Sequence, residues 1–173
     1  YLSENADHVI IQTPYVICNG YMYDVLQGIS DHAKLQIVLN AVEKGSNPWG
    51  CTDYLNQKKK ILETGADVYE LMNDYPVHTK AVLINDRLSV VGSYNLDMRS
   101  TYLDTELMLV IDSEKLNQQI HETESDYMEK SKEVLANGQE TEGAKYQGKA
   151  LNRKKKLYYG VLRIIIRPLR QLL

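Results

Sequence analysis

Short apolar runs alternate with longer, half-polar stretches along this chain. His8–Thr13 (HVIIQT), Leu35–Leu39 (LQIVL), Val68–Leu71 (VYEL), Ala81–Ile84 (AVLI), Leu88–Val91 (LSVV) and Leu107–Ile111 (LMLVI) have strand length and are too short for independent helices. Asn19 caps a predicted helix over about Tyr21–Ile29, which Ser30-Asp31-His32 ends. Lys44 to Gly50, KGSNPWG, reads as a loop by composition. Thr52 or Asp53 then caps a second helix to about Thr64, with Gly65 at its C′ position. Asn73 to Pro76 and Asn85-Asp86-Arg87 are turns, and Ser113 caps a helix that continues to about Leu135. Strand, helix, strand, helix, strand, then a strand cluster, is the order of an α/β domain whose crossover helices pack on a mixed sheet.

Composition divides the chain further. Residues 1–135 read as one domain, and residues 136–150 as a polar linker around NGQETEGAKYQG. Residues 151–173, LNRKKKLYYGVLRIIIRPLRQLL, read as a basic amphipathic helix with Arg163, Arg167 and Arg170 on one side. Net charge is −3, yet nine of the twenty Lys and Arg, and none of the twenty-three acids, lie in residues 144–173. The first 143 residues therefore hold eleven bases against twenty-three acids, a net −12. That acidic body argues against a nucleic-acid partner, which needs a basic surface. Uncompensated charge beside apolar side chains in the last segment predicts contact with an anionic membrane surface, with Arg153 to Lys156 seeking phosphate. The plainer reading is a helix that packs on a neighbouring domain. Cys18 and Cys51 make neither a disulfide framework nor a thiolate zinc cluster, and His8, His32 and His121 lack ligand spacing, so no metal site is expected. The chain opens on Tyr1 without a leader-like stretch, which predicts a processed protein or an excised piece of a longer one.

The candidate chemistry sits between Tyr75 and Asp112. His78 and Lys80 are two apart at the start of a strand, so their side chains share a face. Gly92-Ser93-Tyr94-Asn95 follows the neighbouring strand directly. Together they suit one small anion: Lys80 supplies point charge, Ser93 and Asn95 supply hydrogen bonds to phosphate oxygens, and His78 attacks as a neutral imidazole. Spacing alone does not separate this from a structural histidine. Tyr15 and Trp49 are candidates for a lipid channel or for the core, and Asp97 and Arg99 for a pair that holds the loop after Asn95.

His78-x-Lys80, four residues, Asn85-Asp86, then Gly92-Ser93-x-Asn95 resembles the signature of the phospholipase D superfamily. Gln12-Thr13-Pro14-Tyr15, Thr64-Gly65-Ala66-Asp67-Val68-Tyr69, Asn95-Leu96-Asp97-Met98-Arg99-Ser100 and Glu106 are similar to its bacterial cardiolipin synthase branch, in the C-terminal catalytic half. The resemblance implies an α/β/α sandwich with two such motifs per active site, which meet across a pseudo-twofold or a dimer axis. It implies a phosphohistidine intermediate, a second histidine that protonates the leaving alcohol, and no metal or organic cofactor. It implies transfer of a phosphatidyl group from one phosphatidylglycerol to another at the cytoplasmic face of the cell membrane, by a peripheral enzyme. The second histidine would come from an N-terminal half or a dimer partner, with His78 as general acid and Glu106 orienting an imidazole. One departure stands out: the family's aspartate falls at Asn85, and Asp86 is one residue late. Asn85 serves if the position needs turn geometry, but not if it needs charge to balance Lys80. Two alternatives follow: a dimeric phosphodiesterase or nuclease with the same chemistry, and a non-catalytic half that binds anionic lipid.

Overall fold

The strand-length runs pair into one mixed sheet. The structure, a computed structural model, describes residues 2–170. Its elements are β1 (His8–Gln12), β2 (Val16–Ile17), α1 (Gly20–Ser30), β3 (Lys34–Asn40), α2 (Pro48–Glu63), β4 (Asp67–Leu71), β5 (Ala81–Ile84), β6 (Leu88–Gly92), β7 (Leu96–Asp97), α3 (Met98–Tyr102), β8 (Met108–Asp112), α4 (Glu114–Glu129), β9 (Ser131–Val134), β10 (Glu140–Glu142) and α5 (Arg153–Leu169). The eight-stranded sheet has the order β10-β9-β4-β3-β1-β5-β6-β8. Its central β1, β3 and β4 are parallel to one another, and the strands on both flanks pair antiparallel. A short parallel pair, β2 and β7, forms a separate ladder.

Period-two alternation assigns each face its cover. Val9, Ile11, Leu35, Ile37 and Val68 pack against Met22 and Leu26 of α1 and Cys51, Tyr54 and Ile61 of α2. Ile10, Val38, Leu71 and Leu83 lie on the other face, under Ile120, Tyr127 and Met128 of α4. The result is the helix–sheet–helix sandwich that the resemblance implies, built on the mixed sheet with crossover helices that the element order predicts.

The caps explain the boundaries. Asn19 Oδ1 accepts from Met22 N at 3.0 Å and starts α1 where expected. Gly65, with φ +88°, ends α2 in the left-handed conformation expected of it. The start of α2 is a correction. Asn47, not Thr52 or Asp53, is the cap, and its Oδ1 accepts from Trp49 N and Gly50 N. Pro48 opens the helix at the position where its fixed φ and missing N–H cost nothing, so Pro48, Trp49 and Gly50 of the expected loop are helical. A second correction concerns residues 130–142. Helix α4 ends at Glu129 rather than near Leu135, and β9 and β10 continue the sheet inside the stretch read as helix end and linker. All of β10 is exposed and two of its three residues are glutamate, so no hydrophobic alternation announces it. Such charge is typical of an edge strand.

Helix α5 packs on α2 and presents three sides. Tyr159, Leu162 and Ile166 are buried, whereas Leu157, Val161, Ile164 and Ile165 are exposed. Of the three arginines expected on one side, two are bonded to α2. Arg163 Nε donates to Asn56 Oδ1 at 2.8 Å, and Arg170 Nε donates to Asp53 Oδ1 at 2.7 Å. The end of the predicted helix, residues 171–173, lies outside the described residues.

One buried acid of α4 has no partner among the described residues. Glu124 is 1% exposed, and neither carboxylate oxygen has a hydrogen bond among the described residues. Burial pushes its carboxyl up from 4.5 to about 8. Between those pH values the folded chain holds a proton that the unfolded chain has released, so stability falls as pH rises through the window. Glu124→Leu is expected to stabilise the fold by about 2–4 kcal/mol at pH 8, with little gain at pH 4. Thermal melts at the two pH values read the difference, and equal gains at both would contradict the assignment.

Candidate active site

The carboxyl ends of the parallel strands converge on His78 and Lys80. Asn40, the last residue of β3, fixes the approach: its Nδ2 donates to Val77 O and its Oδ1 accepts from Val77 N, both at 2.8 Å. Val77 is thereby held like a strand neighbour, and His78 emerges from it exposed. Lys80 is 9% exposed, and its Nζ donates to His78 O at 2.8 Å and to His78 Nδ1. Among the described residues no carboxylate lies within ion-pair distance of Lys80. Burial lowers the Lys80 ammonium below its usual range, while Glu106 and Asp97 push it back. Burial and then the Lys80 charge lower the His78 imidazole, which favours the neutral ring at neutral pH.

The second wall is built by the turn after β6. Gly92 lies against Leu107, and an added Cβ would fall 2.0 Å from Leu107 O, so only glycine fits. Ser93 N donates to Leu107 O, and Leu107 N donates to Ser93 Oγ, each at 3.0 Å. Ser93 Oγ in turn donates to Glu106 Oε2. The β2–β7 ladder, with Leu96 N donating to Thr13 Oγ1 at 3.2 Å, draws Asn95 to the ends of the central strands. Asn95 N and Nδ2 both approach Ser100 Oγ, at 3.3 and 3.5 Å. Its Oδ1 is buried and unpartnered among the described residues. Hydrogen bonds from Ser93 and then Ser100 hold the Glu106 carboxyl below its usual range.

His78, Lys80, Ser93, Asn95 and Glu106 thus surround one end of the sheet, but their bonds differ from expectation in three ways. The only Ser93 hydroxyl proton goes to Glu106, so it reaches a phosphate only by leaving that carboxylate. Glu106 is bonded to serines and makes no hydrogen bond to His78. Asn85 is not at the site. It lies at the opposite end of β5, about 16 Å from Lys80 at a strand's rise per residue. There it adopts φ +49°, and its Oδ1 accepts from Asp7 N and His8 N at 3.0 and 3.1 Å. Of the two roles left open for it, turn geometry is the one the backbone shows. Arg99 pairs with Asp104 at 3.0 Å rather than with Asp97, which caps α3 through Ser100 N. Tyr15 and Trp49 line a cleft with Asn95, Asp97 and Arg99.

Asn40 and Ser100 are the residues that sequence reasoning missed. Asn40 follows an apolar strand and has no motif; only the fold shows that it reaches Val77. Ser100 lies in the matched segment, but its contacts with Asn95 and Glu106 need the α3 turn. No cluster of three or more His, Cys, Asp or Glu side chains converges as around a metal ion among the described residues. Replacement of Lys80 by methionine removes one of the two causes that lower the His78 ring. Its titration midpoint, followed by NMR, is expected below 6.5 in the wild type and higher in the variant. An unchanged midpoint would show that the two groups do not interact.

Residues 1–126 match the family model described as cardiolipin synthase, phospholipase D-like domain. Cardiolipin synthase A of Serratia proteamaculans is 30% identical over 130 residues, covering 72% of this chain and 25% of that protein. The same enzyme from Klebsiella pneumoniae is 29% identical over 131 residues, covering 73% and 26%. The chain therefore spans about a quarter of the length of these relatives. Among solved structures, phosphatidylserine synthase of Haemophilus influenzae superposes with a TM-score of 0.69 at 16% identity, over 99% of this chain and 43% of that one. The phospholipase D family member Nuc of Salmonella typhimurium gives 0.62 at 16% identity, over 76% and 85%. At such identities these two speak for the fold.

Proposed function

The chain belongs to the cardiolipin synthase, phospholipase D-like domain family, and from that premise we propose that it is the C-terminal catalytic half of a phosphatidyltransferase that makes cardiolipin from phosphatidylglycerol. The observation that carries this reading is Lys80: a largely buried ammonium with no carboxylate partner among the described residues, hydrogen-bonded to an exposed imidazole. A buried cation needs an anion, and a phosphodiester brings one.

The first transfer exchanges one P–O bond for a P–N bond. A histidine of the other half attacks phosphorus, the glycerol alkoxide departs, and His78 gives it a proton. In the second step the hydroxyl of another phosphatidylglycerol attacks, returns its proton to His78, and restores the P–O bond. A neutral His78 that accepts from Lys80 at Nδ1 carries its proton on Nε2 and gives it to the alkoxide while Lys80 passes one of its own protons to Nδ1, so the ring stays neutral and the second step reverses both transfers. Lys80 and Asn95 stabilise charge on the phosphoryl oxygens. The partner half, from the same polypeptide or a second copy, docks on the apolar surface beside Glu106, where Leu103 and Leu107 are exposed. The intact protein is expected to convert phosphatidylglycerol into cardiolipin and glycerol in equal amounts. Phosphatidic acid as the sole lipid product would instead mark a hydrolase.

The enzyme works at an anionic membrane surface from the cytoplasmic side. No helix among the described residues is long and apolar enough to cross a membrane. Exposed Leu157, Val161, Ile164 and Ile165 on α5, next to Arg153, Lys154, Lys155 and Lys156, suit a helix that lies in the interface. Because α5 also covers α2, surface substitutions test this better than deletion. Ile164→Ser with Ile165→Ser is expected to weaken sedimentation with phosphatidylglycerol vesicles at least about tenfold, since each apolar side chain adds about 1.5–3 kcal/mol on burial. Unchanged sedimentation would remove α5 from the membrane contact.

A further inference from the structure

An apolar groove of about 500 Å³ lies between α1 and the β1–β5–β6 face of the sheet. Its floor includes Val82 and Val90, its α1 side Met22 and Val25, and its upper end Tyr94 and Met108. The strand register ties it to the candidate site. Val82 is two residues beyond Lys80 on β5, so both share one face, and Val90 pairs directly with Val82. On β5 the groove runs from Ala81, the residue after Lys80, down to Ile84, about 10 Å along the strand. We propose that this groove seats one acyl chain of the phospholipid whose phosphate lies at Lys80.

Three features favour a hydrocarbon chain over a protein segment. The lining is mainly apolar, and apart from Ser3 its polar members Gln12, Thr13 and Thr101 lie toward the end of the sheet that carries the candidate site, as suits an amphiphile that enters tail first. Its size falls within the range of small-molecule pockets, roughly 300–1,000 Å³. Met22 and Met108 line it, and unbranched thioether side chains adapt to chains of differing length and unsaturation. A protein partner has a different apolar surface available, the one around Leu103 and Leu107. The choice of ligand rests on the phosphatidyl-transfer reading; the position of the groove does not.

The test uses the intact protein with phosphatidylglycerol vesicles containing a phosphatidylglycerol whose acyl terminus carries a photoactivated carbene precursor. Peptide mapping is expected to place the label on Met22, Val82 or Val90. Excess long-chain phosphatidylglycerol should compete, and chainless glycerophosphoglycerol should not. Val90→Phe, which fills the floor, is expected to lower groove labelling at least fivefold. Val25→Phe at the exposed rim does the same should the variant at half-buried Val90 fail to fold. Label confined to α5 or β8, or a groove left unlabelled because another protein segment covers it, overturns the proposal. Cardiolipin formation is read in the same samples. Groove labelling without cardiolipin upholds the groove and rejects the transferase; cardiolipin without groove labelling does the reverse.

Discussion

His78→Ala is expected to lower cardiolipin formation by about 10²–10⁴-fold while the protein keeps its melting temperature, because a positioned general acid contributes that much and a nucleophile no less. Stability is spared because His78 is exposed and its removal opens no cavity. The size of the loss does not identify the role, but the leaving group does. A phosphatidyl ester of p-nitrophenol needs no proton to depart. With His78 as general acid, the alanine variant should still release p-nitrophenol in a burst, while glycerol release stays suppressed. With His78 as nucleophile, both are lost. A variant that makes cardiolipin at the wild-type rate would remove His78 from the chemistry. Lys80→Met is expected to lose activity with it, since in the proposed mechanism the ammonium beside the ring, which has no carboxylate partner among the described residues, meets the phosphate.

Arg170→Ala is expected to destabilise the fold by about 3–5 kcal/mol, the usual result when one partner of a buried ion pair is removed. Asp53 is 0% exposed within α2, and its second oxygen already lacks a partner among the described residues. Arg170 also donates to Cys18 O and Tyr23 Oη, so its loss releases the end of α5 from α1 and α2 together. Burial raises the Asp53 carboxyl despite the guanidinium beside it. Without Arg170 the carboxyl rises further, so the folded chain holds a proton that the unfolded chain has lost above 3.8. The loss in Arg170→Ala is therefore expected to be larger at pH 8 than at pH 4, and Asp53→Asn in that background should recover part of it. Chemical denaturation of the four members of the cycle measures the coupling. A coupling near zero would mean that α5 is held by Tyr159, Leu162, Ile166 and the Arg163–Asn56 bonds without the Arg170–Asp53 pair.

Much of this architecture can be read along the chain because its signals are local. Asn19 and Gly65 mark helix ends through their own backbone preferences, and the β-branched runs state which segments pair. The motif places His78, Lys80, Ser93 and Asn95 for the same reason: they lie two residues apart on a strand, or in the turn that follows one, and adjacent strands bring them together. Strand β10 and the polar bonds of the site have no local signal. An exposed acidic strand forms only because β9 is there to pair with it. Asn40 and Ser100 act on groups that are distant in sequence or across a turn, and the proton of Ser93 is committed by a glutamate thirteen residues away. Asn85 shows the difference in one residue. Its place in the motif makes it a candidate for the site, whereas strand direction carries it to the far end of β5, where it closes a turn and clamps the start of β1. Residue order thus determined the elements and the chemical groups, because caps, alternation and turns act over a few positions. Which groups share a surface, and which spend their hydrogen bonds on one another, was decided only by packing, because those contacts join segments that nothing in the local sequence connects.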